Sequence, residues 1–163
     1  MTDNTAIMIQ KMIEMSNGNT DDINHFMKVY AFARAIGLQE GLPEEQQTVL
    51  EAAAIIHDIA CPLCREKYGN TNGRYQEEEG LVLAKDFVSD MQFTDAVKER
   101  IIYLVGHHHT YSAVDGMDYQ ILLEADFLVN AAEKKLPAEA VKAARDLFFK
   151  TRTGIALLES MYL

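Results

Sequence analysis

An imidazole and a carboxylate stand side by side at the end of an apolar run, Ala53-Ala54-Ile55-Ile56-His57-Asp58-Ile59-Ala60. A fold that buries this octet must bring a partner to each group, because an unpaired buried polar or charged group costs several kcal/mol. Two arrangements satisfy the pair. One is a hydrogen-bonded core histidine followed by a capping Asp, since buried polar groups ordinarily have such partners. The other is a shared divalent metal, for which neutral imidazole and carboxylate are standard ligands. Adjacent residues on a regular helix point about 100° apart. Both side chains therefore reach one ion only if it lies between their directions or if the helix ends there, and Pro62 just downstream favours an end.

The flanking sequence is helical in period throughout. Residues 3–16 carry Ile7, Met8, Met12, Ile13 and Met15 on helical spacing and stop at Ser16-Asn17-Gly18-Asn19. Thr20-Asp21-Asp22 offers N-caps for a second helix to about Leu38, apolar on most sides, with His25 in its first turns. Pro43 opens a third helix that runs to His57-Asp58. Residues 60–75, with Pro62, Gly69-Asn70 and Asn72-Gly73, read as a long loop. A fourth helix over Gln76–Asp90 follows, then a fifth capped by Thr94 and ending at Gly106-His107-His108-His109. Ile121 to Val129 form a strongly apolar sixth, Pro137 starts a seventh, and a short last helix follows Thr153-Gly154. No strand-like alternation of useful length occurs. The reading is all-α: one compact helical bundle of about six to eight helices over residues 1–163, with a core at about 20–135 and the helices of 137–163 packed on it.

Composition removes several functions. A net charge of −10 does not suit a general binder of long nucleic acids, which needs a basic surface. No apolar run approaches the roughly 20 residues of a membrane span, and the N-terminus has no basic stretch followed by an apolar one. A soluble, cytoplasmic protein without a membrane partner is expected. Cys61 and Cys64 are the two cysteines, with no second pair to complete a four-cysteine site, and read as reduced thiols. Arg65, Lys67 and Arg74 put three cations in the 60–75 segment, as a solvated loop or as contacts to phosphate. The Met-rich first helix is a candidate surface for a homodimer.

The five histidines fall in three places, His25, His57 and 107–109, each on a helix or helix end beside apolar sequence. Asp126 shares a helical face with Leu122, Val129 and Asn130, where a carboxylate is expensive unless paired. The order His25, His57-Asp58, Asp126 resembles the H…HD…D signature of the HD-domain metal-dependent phosphohydrolases. The similarity spans roughly residues 20 to 135 and includes the Ala-rich approach to His57, the Glu77-Glu78-Glu79-Gly80 helix start, the histidine cluster and Ala125-Asp126.

This resemblance implies that His25, His57, Asp58 and Asp126 bind one divalent ion (Mn, Fe, Zn, Ni or Mg) per chain. In members with two metals, a histidine at the start of the helix after the loop serves the second site; Gln76, a poor ligand, stands there. His107, His108 or His109 would then contact substrate phosphate or a weak second ion, with His108 and His109 favoured. Many members continue the His-Asp pair with Gly-Lys, whereas Ala60-Cys61-Pro62 follows here, so no catalytic lysine carries over. The implied reaction is hydrolysis of a phosphomonoester or phosphodiester of a nucleotide or other small phosphorylated metabolite. Asp58 would orient or deprotonate the water, a cluster histidine would protonate the leaving group, and Arg65, Lys67 or Arg74 would hold further phosphates. The alternatives are a non-catalytic HD-fold sensor that keeps the metal, a di-iron HD-like oxygenase that needs a full second site, and an all-α interaction domain without metal.

Overall fold

Three helices, α2 (Thr20–Gln39), α3 (Glu44–Ile56) and α7 (Met117–Glu133), pack on one another and form the centre of the molecule. This computed structural model describes residues 3–163. Around the centre, α1 (Asn4–Met15) lies on α3, and α6 (Asp95–Val105) also packs on α3. On its other side α6 carries α5 (Gly73–Val88), which carries α4 (Cys61–Tyr68). Of the last two helices, α8 (Ala138–Phe148) packs on α9 (Arg152–Tyr162), and α9 reaches α7 and α2. Among the described residues there are nine helices and no strand.

Position in the bundle follows from side-chain pattern. Every residue of α3 from Val49 to Ile56 is buried. Its Ala52-Ala53-Ala54 stretch is small enough to accept neighbours on several sides, so α3 touches α1, α2, α6 and α7. α7 is buried continuously from Asp118 to Asp126 despite four polar residues in that stretch. Each of these must be satisfied or cost free energy. Asp118 accepts from Arg100 at 2.9 and 2.7 Å, and Gln120 donates to Glu124 at 2.7 Å. Asp126 belongs to the site described below.

The ninth helix is α4, in the segment expected to be a loop. Pro62 lies in its first turn, where a missing N–H costs nothing, rather than marking a break. Gly69 ends it at φ 73°, in the left-handed region that glycine adopts freely. α5 starts at Gly73 instead of Gln76 because the Asn72 side chain caps it, accepting from the Arg74 N–H. Asn19, not Thr20-Asp21-Asp22, caps α2, and Thr151 caps α9, so Thr153-Gly154 lies inside α9. Thr94 caps α6.

Glu124, fully buried, ties the C-terminal helices to α7. Its carboxylate accepts from the backbone N–H groups of Lys150 and Thr151, both at 3.2 Å, and from the Thr151 hydroxyl at 2.7 Å. Gly154 presses against this carboxylate, and a Cβ there would overlap both Glu124 Oε1 and the Thr151 hydroxyl. Gly154→Ala is therefore expected to destabilise the protein by about 1–3 kcal/mol through overpacking. Thermal unfolding measures it; an unchanged midpoint would mean that α9 shifts freely on α7.

Candidate metal centre

The site forms where three central helices converge. α2 brings His25 from its second turn and α7 brings Asp126 from its buried face. α3 ends at Ile56, so His57 and Asp58 fall in the turn before α4 and both side chains face one point. Four atoms meet there. His25 Nε2 is 3.0 Å from His57 Nε2, 3.0 Å from Asp58 Oδ2 and 3.2 Å from Asp126 Oδ1. His57 Nε2 is 3.3 Å from Asp126 Oδ1 and 3.5 Å from Asp58 Oδ2.

The far side of each ring defines what these atoms are. His25 Nδ1–H donates to Glu133 at 2.7 Å, and His57 Nδ1–H donates to the Ala54 carbonyl at 2.7 Å. With the protons held there, the neutral rings present bare Nε2 lone pairs to two carboxylates and to each other. Asp126 Oδ1, buried, has no hydrogen-bond donor despite its short contacts to both nitrogens. Four acceptors turned on one point repel unless positive charge lies between them. Without a metal, a proton is drawn in: burial lowers the His25 pKa, but Asp126 and Asp58 outweigh it and raise it to about 11. A divalent ion supplies the same need with two charges, and two imidazoles with two carboxylates form a donor set suited to it. The residues fit such an ion.

His108 and His109 stand on the other side of Asp58, and the three could also hold an ion. His108 Nδ1–H donates to the Val105 carbonyl at 2.8 Å and its Nε2 faces Asp58 Oδ1 at 3.0 Å. His109 Nε2–H donates to Gln76 Oε1 at 2.9 Å, while Gln76 gives its own amide N–H to the Thr71 carbonyl at 2.6 Å. Burial and the neighbouring His108 lower the His109 pKa to about 4, so this ring is neutral near pH 7.

Of these side chains, His25, Asp58, Gln76, His109 and Asp126 line a cavity of about 210 Å³ between α2, α4, the start of α5 and the end of α7, and His57 and His108 lie buried behind them. Arg65 lines it, held by Asp22 through two bonds of 2.8 and 2.7 Å. Four residues expected near substrate do not line it; one is His108, buried against Asp58. Lys67 turns to Glu79 at 2.7 Å, and Arg74, on the outer face of α5, to Glu78 at 2.9 Å. His107 bonds the Tyr103 carbonyl and stacks on the Tyr103 ring at 3.9 Å, which points it away from Asp58. Glu133 is a site residue that sequence reasoning missed; its signal was faint, an acid seven residues after Asp126 on the same helix. Thr71, Asn130 and Lys134 join the lining unforeseen as well.

The chain matches the family model described as HD domain over residues 22–146 and belongs to that family, whose members are mostly metal-dependent hydrolases. No curated protein and no solved structure matches it. No helix among the described residues is long and apolar enough to cross a membrane.

Glu133→Gln is expected to weaken metal binding about 10- to 100-fold, because the carboxylate that orients the His25 ring and raises its basicity is lost. Competition against a chelating dye measures this, and an unchanged affinity would remove Glu133 from the site. Both cysteines are free and buried. Burial and the charge of Asp58 push the Cys61 thiol well up, and burial with Glu79 raises Cys64. Little thiolate then exists near pH 7. Native protein should react slowly with iodoacetamide at that pH and faster as pH rises, with both thiols labelled at once after denaturation. Fast labelling of the native chain would contradict this.

Proposed function

We propose that the protein is a metal-dependent phosphohydrolase acting on an ester of a small phosphorylated metabolite. The observation that carries the reading is the meeting of His25, His57, Asp58 and Asp126 on one point, with Asp126 Oδ1 lacking any donor and three of the four, His25, Asp58 and Asp126, lining an open cavity. A divalent ion bound by these four residues would acidify a water and polarise a phosphoryl oxygen. Asp58 has one oxygen toward the ligand cluster and the other toward His108. It is thus suited to align the water and accept its proton. The water oxygen forms the new bond to phosphorus, the ester P–O bond breaks, and the proton passes to the departing alkoxide. His108 and His109 flank Asp58; His108, whose Nε2 meets Asp58 Oδ1 at 3.0 Å, is suited to pass that proton on, while neutral His109 lines the cavity beside it. Gln76 fixes the orientation of His109 through the Thr71 carbonyl. One ion per chain is the expected content, since Gln76, a poor ligand, stands where two-metal members have a histidine.

The test is elemental analysis of purified protein followed by assay with nitrophenyl phosphate and bis(nitrophenyl) phosphate under Mn, Fe, Zn, Ni and Mg. Near-stoichiometric metal is expected in the wild type and little in His57→Ala or Asp126→Ala. Asp58→Asn should lower kcat by about 10²- to 10⁴-fold, as loss of a proton-transfer group does. Protein that takes up none of these metals, or that takes one up and hydrolyses neither ester, would overturn the reading.

A further inference from the structure

The charge and size of the cavity restrict what can enter it. Its described lining holds five carboxylates, Asp21, Asp22, Asp58, Asp126 and Glu133, against two cations, Arg65 and the exposed Lys134. A divalent ion at the floor still leaves this lining one negative charge. The volume, about 210 Å³, is below the roughly 300–1,000 Å³ of sites for drug-sized ligands. The one guanidinium on the wall is already engaged: both terminal nitrogens of Arg65 bond the two oxygens of Asp22. A bidentate carboxylate is the strongest ordinary competitor for the phosphate that such a fork could otherwise take. The other two cations of that region, Lys67 and Arg74, face away and are paired with Glu79 and Glu78.

Resting on the hydrolase reading, we infer that the substrate is a compact phosphomonoester, of sugar size and with a single phosphoryl group. Asp22 is the specificity-determining residue, because it withholds Arg65 from a second phosphate. A substrate with one phosphoryl group places it at the floor, where the ion supplies the positive charge. A second phosphoryl group must sit against the acidic wall, where Arg65 is held by Asp22 and only the exposed ammonium of Lys134 is left to meet it. Hydroxyl groups on the body of the substrate find acceptors in Asp21, Glu133 and the side chain of Asn130.

Binding tests this apart from turnover. The probes are methylenephosphonate analogues of ribose 5-phosphate and of ribose 1,5-bisphosphate, whose C–P bonds resist hydrolysis, titrated calorimetrically into metal-loaded protein. The wild type should bind the monophosphonate at least about tenfold more tightly than the bisphosphonate, the size of effect expected of one charge-assisted contact. Asp22→Asn, nearly isosteric, should strengthen bisphosphonate binding about tenfold while leaving the monophosphonate within a few-fold. Arg65→Gln should widen the preference, since Asp22 is then left unneutralised. Equal or tighter wild-type binding of the bisphosphonate, no binding of either probe, or an unchanged ratio in both variants would overturn the inference. Hydrolysis of nitrophenyl phosphate with a bisphosphonate preference would leave the hydrolase reading standing and remove this one. Monophosphonate preference in a protein that hydrolyses no ester would remove both the hydrolase reading and the substrate assignment, and would leave only a binding preference of the cavity for one phosphoryl group.

Discussion

Four hydrogen-bond acceptors brought within contact of one another are unstable unless a cation joins them, and the centre of this bundle is built around such a group. His25 Nε2, His57 Nε2, Asp58 Oδ2 and Asp126 Oδ1 come from three different elements. Their mutual repulsion in a buried setting is a large cost, because the low local polarizability strengthens charge interactions of either sign. The structure bears that cost where α2, α3 and α7 pack most closely, with Ile55, Ile56, Leu122 and Ala125 fully buried beside these four groups. Rigid surroundings prevent the four groups from relaxing apart.

Helix ends hold the rings in place. His57, His107 and His108 each donate Nδ1–H to a carbonyl three or four residues back, and these are carbonyls that a terminating helix leaves without a partner. One interaction thus completes the helix end and fixes the tautomer of the ring. His25, inside a helix, has no such carbonyl to use and takes Glu133 from the end of α7 instead. Gln76 plays the matching part for His109. Each imidazole of the site therefore has one nitrogen committed to the scaffold.

A second buried polar group organises the other end of the molecule. Glu124, two residues before Asp126 on α7, collects two backbone N–H groups, a hydroxyl and the Gln120 amide, and so pins the reversal between α8 and α9. Burial raises its pKa, and the hydrogen bonds work against that rise. α7 thus serves as the shared spine: one carboxylate on it faces the site and another anchors the C-terminal helices.

The all-α class, the position of most helices and the His57-Asp58 pair are legible in the sequence, and the resemblance to the H…HD…D order adds His25 and Asp126 as candidate ligands. Apolar periodicity is a local property, and a polar pair at the end of an apolar run signals itself by the cost of burying it. α4 was hidden because eight residues with Pro in the first turn and few apolar positions carry little periodic signal, whereas its capping geometry at Gly69 depends on conformation. The partners were hidden for a different reason. Glu133 meets His25 across 108 residues and Asp22 meets Arg65 across 43, separations at which spacing along the chain says nothing about contact. Three consecutive histidines look alike in sequence; the packing of the turn after α6 set His107 on Tyr103 and His108 on Asp58. Local sequence determined which groups must be buried and on which helices, because periodicity and desolvation act residue by residue. Tertiary structure alone decided which of them face one another, because direction and distance exist only once the helices have packed.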